Sequence, residues 1–126
     1  MSRVLTVGAA QMGPIQLADT RPEVVGRLVA LLRSGAAAGC DLVVFPELTL
    51  TTFFPRWWVD DLSDSDHFYE TEMPGPETRP LFEEARRLGV GFHLGYAELT
   101  SDGHRYKRSV VMGKIGAFGR RRRLQK

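Results

Sequence analysis

Apolar and small residues alternate at the start of the chain. In RVLTVGAAQMG, from Arg3 to Gly13, Val4, Thr6 and Gly8 fall on one side of an extended backbone and Leu5, Val7 and Ala9 on the other, which predicts a β-strand. The period then changes. In TRPEVVGRLVALLRSGAAAG, Val24, Leu28, Leu31 and Leu32 line one stripe at helical spacing. Thr20 suits the cap and Pro22 the first turn. Glu23 lies three residues after Thr20, as in a capping box, and Gly39 marks the stop. DLVVF follows, a short and continuously apolar run of the kind found in parallel sheets buried on both faces.

From Thr51 to Pro76 no period holds. Pro55, Pro74, Gly75 and Pro76 break the segment, and Asp60, Asp61, Asp64 and Asp66 charge it. Loops this long in compact domains are usually functional or disordered. The aromatics Phe53, Phe54, Trp57, Trp58, Phe68 and Tyr69 predict order. Phe53, Phe54, Trp57 and Trp58 either wall a pocket or pin the loop, and pinning is the expectation, given how much area such side chains bury.

TRPLFEEARRLG then repeats the helix-entry device, with Thr78 as cap, Pro80 in the first turn and Gly89 as stop. VGFHLGYAEL reads as a strand. Phe92, Leu94 and Tyr96 share one face, and Gly91, His93, Gly95 and Ala97 the other, so something packs closely on that small-residue face. SDGHRYKRSVVM adds a hairpin turn at Asp102-Gly103 and another strand, and GKIGAFGRRRRLQK a turn and the start of one more. Two helix-then-strand units after an opening strand imply an α/β architecture with right-handed crossovers.

Composition adds little until charge is located. The 126 residues suffice for one domain with a real core, and no apolar run approaches the ~18 residues of a membrane span. The start lacks a long apolar h-region, so no signal peptide is expected. The net charge of +2 is a local effect: Arg120, Arg121, Arg122, Arg123 and Lys126 supply five of seventeen basic residues, leaving twelve against fifteen acidic ones. A nucleic-acid binder spreads its charge over a face, and no aromatic platform interleaves the arginines, so no nucleic-acid partner is expected. The single cysteine, Cys40, excludes an internal disulfide and fits a reducing cytoplasm.

The candidate chemistry centres on Glu47, immediately after the strand Leu42 to Phe45 and Pro46. In open α/β sheets functional groups gather at the carboxyl ends of strands. Among apolar walls such an acid is poised as a general base. The competing reading is a strand-end acid that caps a turn or pairs with an arginine such as Arg56. His93 reads as a core histidine, and His67 and His104 as solvated. No His, Cys and acid cluster has metal-ligand spacing, so no metal or other cofactor is expected. GKIGAFG lacks the Gly-Lys-Ser/Thr ending of a phosphate loop.

The motifs VVFPELTLT, AAQMGPI, TTFFPRW, FYETEMPGP with RPLFEEARRLGVGF, and LGYAEL together resemble the nitrilase superfamily of carbon–nitrogen hydrolases, and most closely the N-carbamoyl-D-amino acid hydrolases. The resemblance runs without a gap from the N-terminus to about Leu99. It implies the N-terminal part of a nitrilase-type αββα sandwich, so residues 1–126 form one incomplete domain that leaves sheet faces and edges uncovered. It also implies a small-molecule substrate, an N-carbamoyl amino acid or amide, and a homo-oligomer. Its chemistry is a Glu–Lys–Cys triad, in which a cysteine attacks the carbonyl, nitrile or ureido carbon. Glutamate takes the thiol proton and later activates water, and lysine stabilises the oxyanion. The glutamate falls on Glu47. Strict counting puts the lysine on Arg123 or Leu124, and two extra turn residues put it on Lys126, the preferred position because arginine lacks the same compact charge. The cysteine has no counterpart. Cys40 lies at the opposite end of the strand from Glu47, roughly 20 Å away at ~3.3 Å per residue. Lys107 and Arg108 depart from the family's Asn-Thr, which suggests a degraded or misread C-terminal end.

Overall fold

The computed structural model describes residues 2–113 and, as backbone, 116–124. Five strands form one sheet in chain order: β1 (Val7–Ala9), β2 (Leu42–Val44), β3 (Gly91–Leu99), β4 (Arg105–Gly113) and β5 (Gly116–Leu124). β1, β2 and β3 run parallel, and β3, β4 and β5 antiparallel. Helix α1 (Arg21–Ala37) connects β1 to β2, and α2 (Arg79–Leu88) precedes β3.

The first strand is shorter than its alternation predicts. Ladder pairing is confined to Val7–Leu42, Gly8–Val43 and Ala9–Val44, because β2 offers no more. Pro46 ends β2: it has no N–H to continue the ladder.

Helix α1 starts as expected. The Thr20 side chain accepts from the Glu23 N–H, and Glu23 Oε2 accepts from the Thr20 N–H at 2.7 Å. Gly39, at φ +84°, follows the helix. Helix α2 starts differently. Thr78 is itself in helical conformation and caps nothing. Its fully buried hydroxyl accepts from the Gly75 N–H at 2.8 Å and donates to the Gly75 carbonyl at 3.3 Å, closing the turn that precedes the helix. Gly89 ends α2 in the left-handed conformation, as its place predicts.

Both helices cover one face of the sheet. Val24, Val25, Leu28 and Leu32 of α1 and Leu81, Phe82 and Ala85 of α2 meet Val43, Phe45, Phe92, Leu94, Tyr96, Val110 and Met112. Val25 joins this core although the predicted stripe omits it, while Leu31 is half-buried. Phe82 sets its ring edge-on to Phe92 at 5.0 Å. Burying each such side chain contributes about 1.5–3 kcal/mol. Among the described residues no α-helix covers the opposite face, and Val7 is 52% exposed on it. One helix layer on one sheet is the half-sandwich that the sequence implies.

An ion-pair bridge joins the helices at their surface. Glu84 of α2 meets Arg33 of α1 at 2.9 Å and also Arg87. Hydrogen bonds from Arg87 and Arg33 hold its carboxyl at about 2, below the ordinary 4.5. A carboxylate depressed in the folded state stabilises fully above its unfolded value and loses that contribution as the pH falls through its folded one. Urea midpoints measured between pH 4.5 and about 2 should therefore fall less steeply for Glu84→Gln than for the native chain. At neutral pH, Thr20→Ala should cost about 1 kcal/mol by urea denaturation.

Candidate active site

Glu47 sits on a tight turn beyond β2. The Phe45 N–H donates to the His93 carbonyl and the Thr49 N–H to the Gly95 carbonyl, each at 3.0 Å, so β3 grips the turn on both sides. The buried Thr49 hydroxyl donates to the Pro46 carbonyl across it. Between them Leu48 adopts φ +49°, a left-handed conformation that costs a non-glycine residue about 1–2 kcal/mol. Leu48 is 3% exposed and packs with Phe54 and Ala97, which offsets that strain.

Gly95 makes the turn possible. A Cβ there would lie 3.2 Å from Glu47 Cα and the Pro46 carbonyl oxygen and 3.3 Å from Leu48 N, all backbone atoms. The small-residue face of β3 is therefore the seat of the Glu47 turn, which answers what packs against it.

The Glu47 carboxylate is not enclosed by apolar walls. Its side chain is 62% exposed and lies 3.1 Å from Lys107 Nζ. An exposed ion pair of this kind contributes only about 0–1 kcal/mol to stability, so it has little structural weight. Glu47 divides two clefts. One, of about 430 Å³, runs toward Met12, Gly13 and Arg56. The larger, of about 750 Å³, is walled by Phe54, Trp57, Trp58, Phe68 and Tyr69 and carries Arg105 and Lys107 at its β4 side. Both volumes fall in the range of small-molecule sites.

Aromatic packing shapes the larger groove. Phe54 stacks on Phe68 at 4.6 Å and meets Tyr69 edge-on at 5.3 Å. Short 3₁₀ turns at Phe54–Arg56 and Leu62–Phe68 carry these rings. Phe54 pins the long loop as expected. Trp58 does not: it is 89% exposed, with its indole N–H donating to Asp60 at 3.2 Å. Phe53 and Trp57 are also exposed, so three of the four aromatics expected to pin the loop stand at the clefts instead. Arg105, bound to Asp66 at 2.5 Å, sits over the Tyr69 ring. Burial pushes the Tyr69 hydroxyl above its ordinary 10.0, against the opposing pull of Arg105.

Behind the turn, Arg21 of α1 donates to the Leu50 carbonyl at 2.6 Å and pairs with Glu70 at 2.6 Å. Desolvation raises the Glu70 carboxyl and the Arg21 charge lowers it, with a net rise.

The remaining candidates separate from Glu47. Arg56 lies over the Trp57 ring at 5.3 Å, and the partner of Glu47 is Lys107. Cys40 lies at the opposite end of β2, packed so tightly that a Cβ on Gly8 would meet its sulfur at 2.8 Å. Lys126 lies outside the described residues. Arg123 is described as backbone only, opposite Lys107 in the β4–β5 register. His67 and His104 are exposed, and His93 is half-buried with no hydrogen-bond partner for Nδ1 among the described residues. Lys107 and Arg108, the two departures from the family pattern, both make ion pairs: Lys107 with Glu47, and Arg108 with Glu98 at 9% and 13% side-chain exposure. Sequence reading missed Lys107. Strand alternation from Arg105 gives its face, but not which loop arrives there.

A family model described as carbon–nitrogen hydrolase matches residues 6–125. The chain belongs to the carbon–nitrogen hydrolase family. It is 31% identical over 102 residues to Nitrilase 2 from an unknown prokaryotic organism, covering 75% of this chain and 32% of that protein. It is 28% identical over 120 residues to a nitrilase from Pseudomonas syringae pv. syringae (strain B728a), covering 90% and 33%. The chain thus spans about a third of the length of these curated relatives. Among solved structures, a carbon–nitrogen hydrolase from Helicobacter pylori G27 matches with a TM-score of 0.74 at 18% identity, covering 96% of this chain and 40% of that one. An N-terminal amidase with a Gln-Val peptide matches with a TM-score of 0.72 at 18% identity, covering 94% and 28%. These structures support the fold: the αβ half seen here is the N-terminal part of a nitrilase-type sandwich. Among the described residues, no helix is long and apolar enough to cross a membrane.

Gly95→Val should destabilise the chain by about 1–3 kcal/mol, as overpacking does, because its side chain must displace backbone held by two hydrogen bonds. Urea denaturation checks this.

Proposed function

We propose that this chain is the base-bearing part of an amidohydrolase acting on N-carbamoyl-D-amino acids, with Glu47 as general base. The products are a D-amino acid, ammonia and carbon dioxide, and one water is consumed. The observation that carries the reading is Glu47 on a strained, doubly gripped turn at the rim of two clefts. Strain of this kind persists where surrounding structure holds a functional group in place.

The reaction divides between this chain and a thiol. A thiolate adds to the ureido carbon after Glu47 has taken its proton, and the C–N bond breaks as Glu47 returns that proton to the departing ammonia. Glu47 then draws a proton from the water that adds to the same carbon, and the C–S bond breaks as the thiol is regenerated, leaving a carbamate that loses carbon dioxide to give the amino acid. The oxyanion formed in each step needs a fixed ammonium, which we assign to Lys126. Cys40 is too remote for the thiol role, so residues 1–126 alone are catalytically silent. We further propose a homo-oligomer in the cytoplasm, consistent with the exposed apolar Val4, Leu5 and Val7 and the lone cysteine.

The chain alone should release no ammonia from N-carbamoyl-D-amino acids. Turnover that disappears in Cys40→Ala would overturn the assignment of a separate thiol. In a polypeptide carrying these residues together with a nucleophilic cysteine, Glu47→Gln should lower kcat by about 10²–10⁴-fold. Unchanged turnover there would remove Glu47 from the mechanism.

A further inference from the structure

The ammonium of Lys107 does more in this groove than neutralise Glu47. Lys107 is the sole lysine among the described residues. It stands on β4 opposite Ala97, which is buried against Leu48 and Phe54, and the Lys107 side chain itself is 30% exposed. Its Nζ reaches Glu47 Oε1 at 3.1 Å and lies 5.7 Å from the Phe53 ring centre. An ammonium has three donors. Among the described residues Glu47 is its one carboxylate partner, so two N–H bonds remain for the groove. Arg105, the other cation of this wall, is already committed to Asp66 through two of its nitrogens.

We propose that Lys107 is a specificity-determining residue that binds a carboxylate on the substrate, while the Trp57–Trp58 wall takes an aromatic or bulky apolar substituent on the same molecule. The proposal rests on Glu47 being the site's base. In an N-carbamoyl amino acid the ureido carbon and the carboxylate are separated by a nitrogen and the α-carbon. A carboxylate bound at Lys107 therefore brings the reacting carbon next to Glu47. Neutral nitriles and amides offer Lys107 an acceptor without a charge, so a substrate carboxylate is held more tightly and this chain is set apart for acidic substrates. The position is also one where the family resemblance expects asparagine, which cannot supply a charge.

The two tryptophans of the chain both line the groove, so their fluorescence reports its occupancy directly. Phenylacetate, phenylacetamide and acetate are titrated against the 126-residue chain. Phenylacetate should give a saturable change at least about tenfold tighter than phenylacetamide, as a charge-assisted bond predicts, and acetate no change. Lys107→Met, which keeps the stem, should abolish the preference, and Lys107→Arg should retain part of it. Glu47→Gln should tighten phenylacetate by freeing the ammonium, an effect that a merely structural ion pair does not produce. Equal binding of acid and amide, a preference that survives in Lys107→Met, or no saturable change in the native chain would each overturn the proposal. Binding is read without turnover, so a failed hydrolase assignment and a failed Lys107 assignment give different results.

Discussion

The close seat of the Pro46–Leu48 backbone on Gly95 is the contact on which the rest of the site depends. Without a side chain at Gly95, β3 lets the turn cross its face at van der Waals distance. The two backbone bonds to His93 and Gly95 follow from that approach, as does the left-handed Leu48. Glu47 then has one place to go, the rim between the clefts, within reach of β4. The hydrophobic core on the far side of the sheet supplies rigidity, but it does not aim the carboxylate.

Much of the architecture was legible because local signals and tertiary demands agreed. The Thr20 capping box, the Gly89 stop and the Phe92–Leu94–Tyr96 face all appear as read. The small residues of β3 announced a close neighbour, although not its identity. Thr78 misled because the same Thr-Arg-Pro lettering serves a different local need: the hydroxyl is spent on Gly75 before the helix begins. The first strand was overextended because alternation marks what a chain can do, whereas ladder length depends on the partner, and β2 has three residues to offer.

The site was half legible. Glu47 was singled out as a candidate by its place after an apolar strand and by motif. Its exposure could not be read, since Phe53, Trp57 and Trp58 turn outward rather than folding over it. Lys107 was hidden for a different reason. Its pairing joins residues sixty positions apart across a strand that lies between them, and no periodicity carries such information. Arg108 illustrates the same limit, since its glutamate becomes visible only when β3 and β4 are in register.

The sheet is graded in persistence from one side to the other. β1 holds on by a three-residue ladder at an open edge, whereas β3 and β4 share a ladder of eight paired positions. Fluctuations that admit solvent to backbone amides begin at the β1 side and reach the β3–β4 ribbon last. The Glu47 turn is fastened to β3, so the carboxylate keeps its orientation through partial openings that already cost the molecule its first strand.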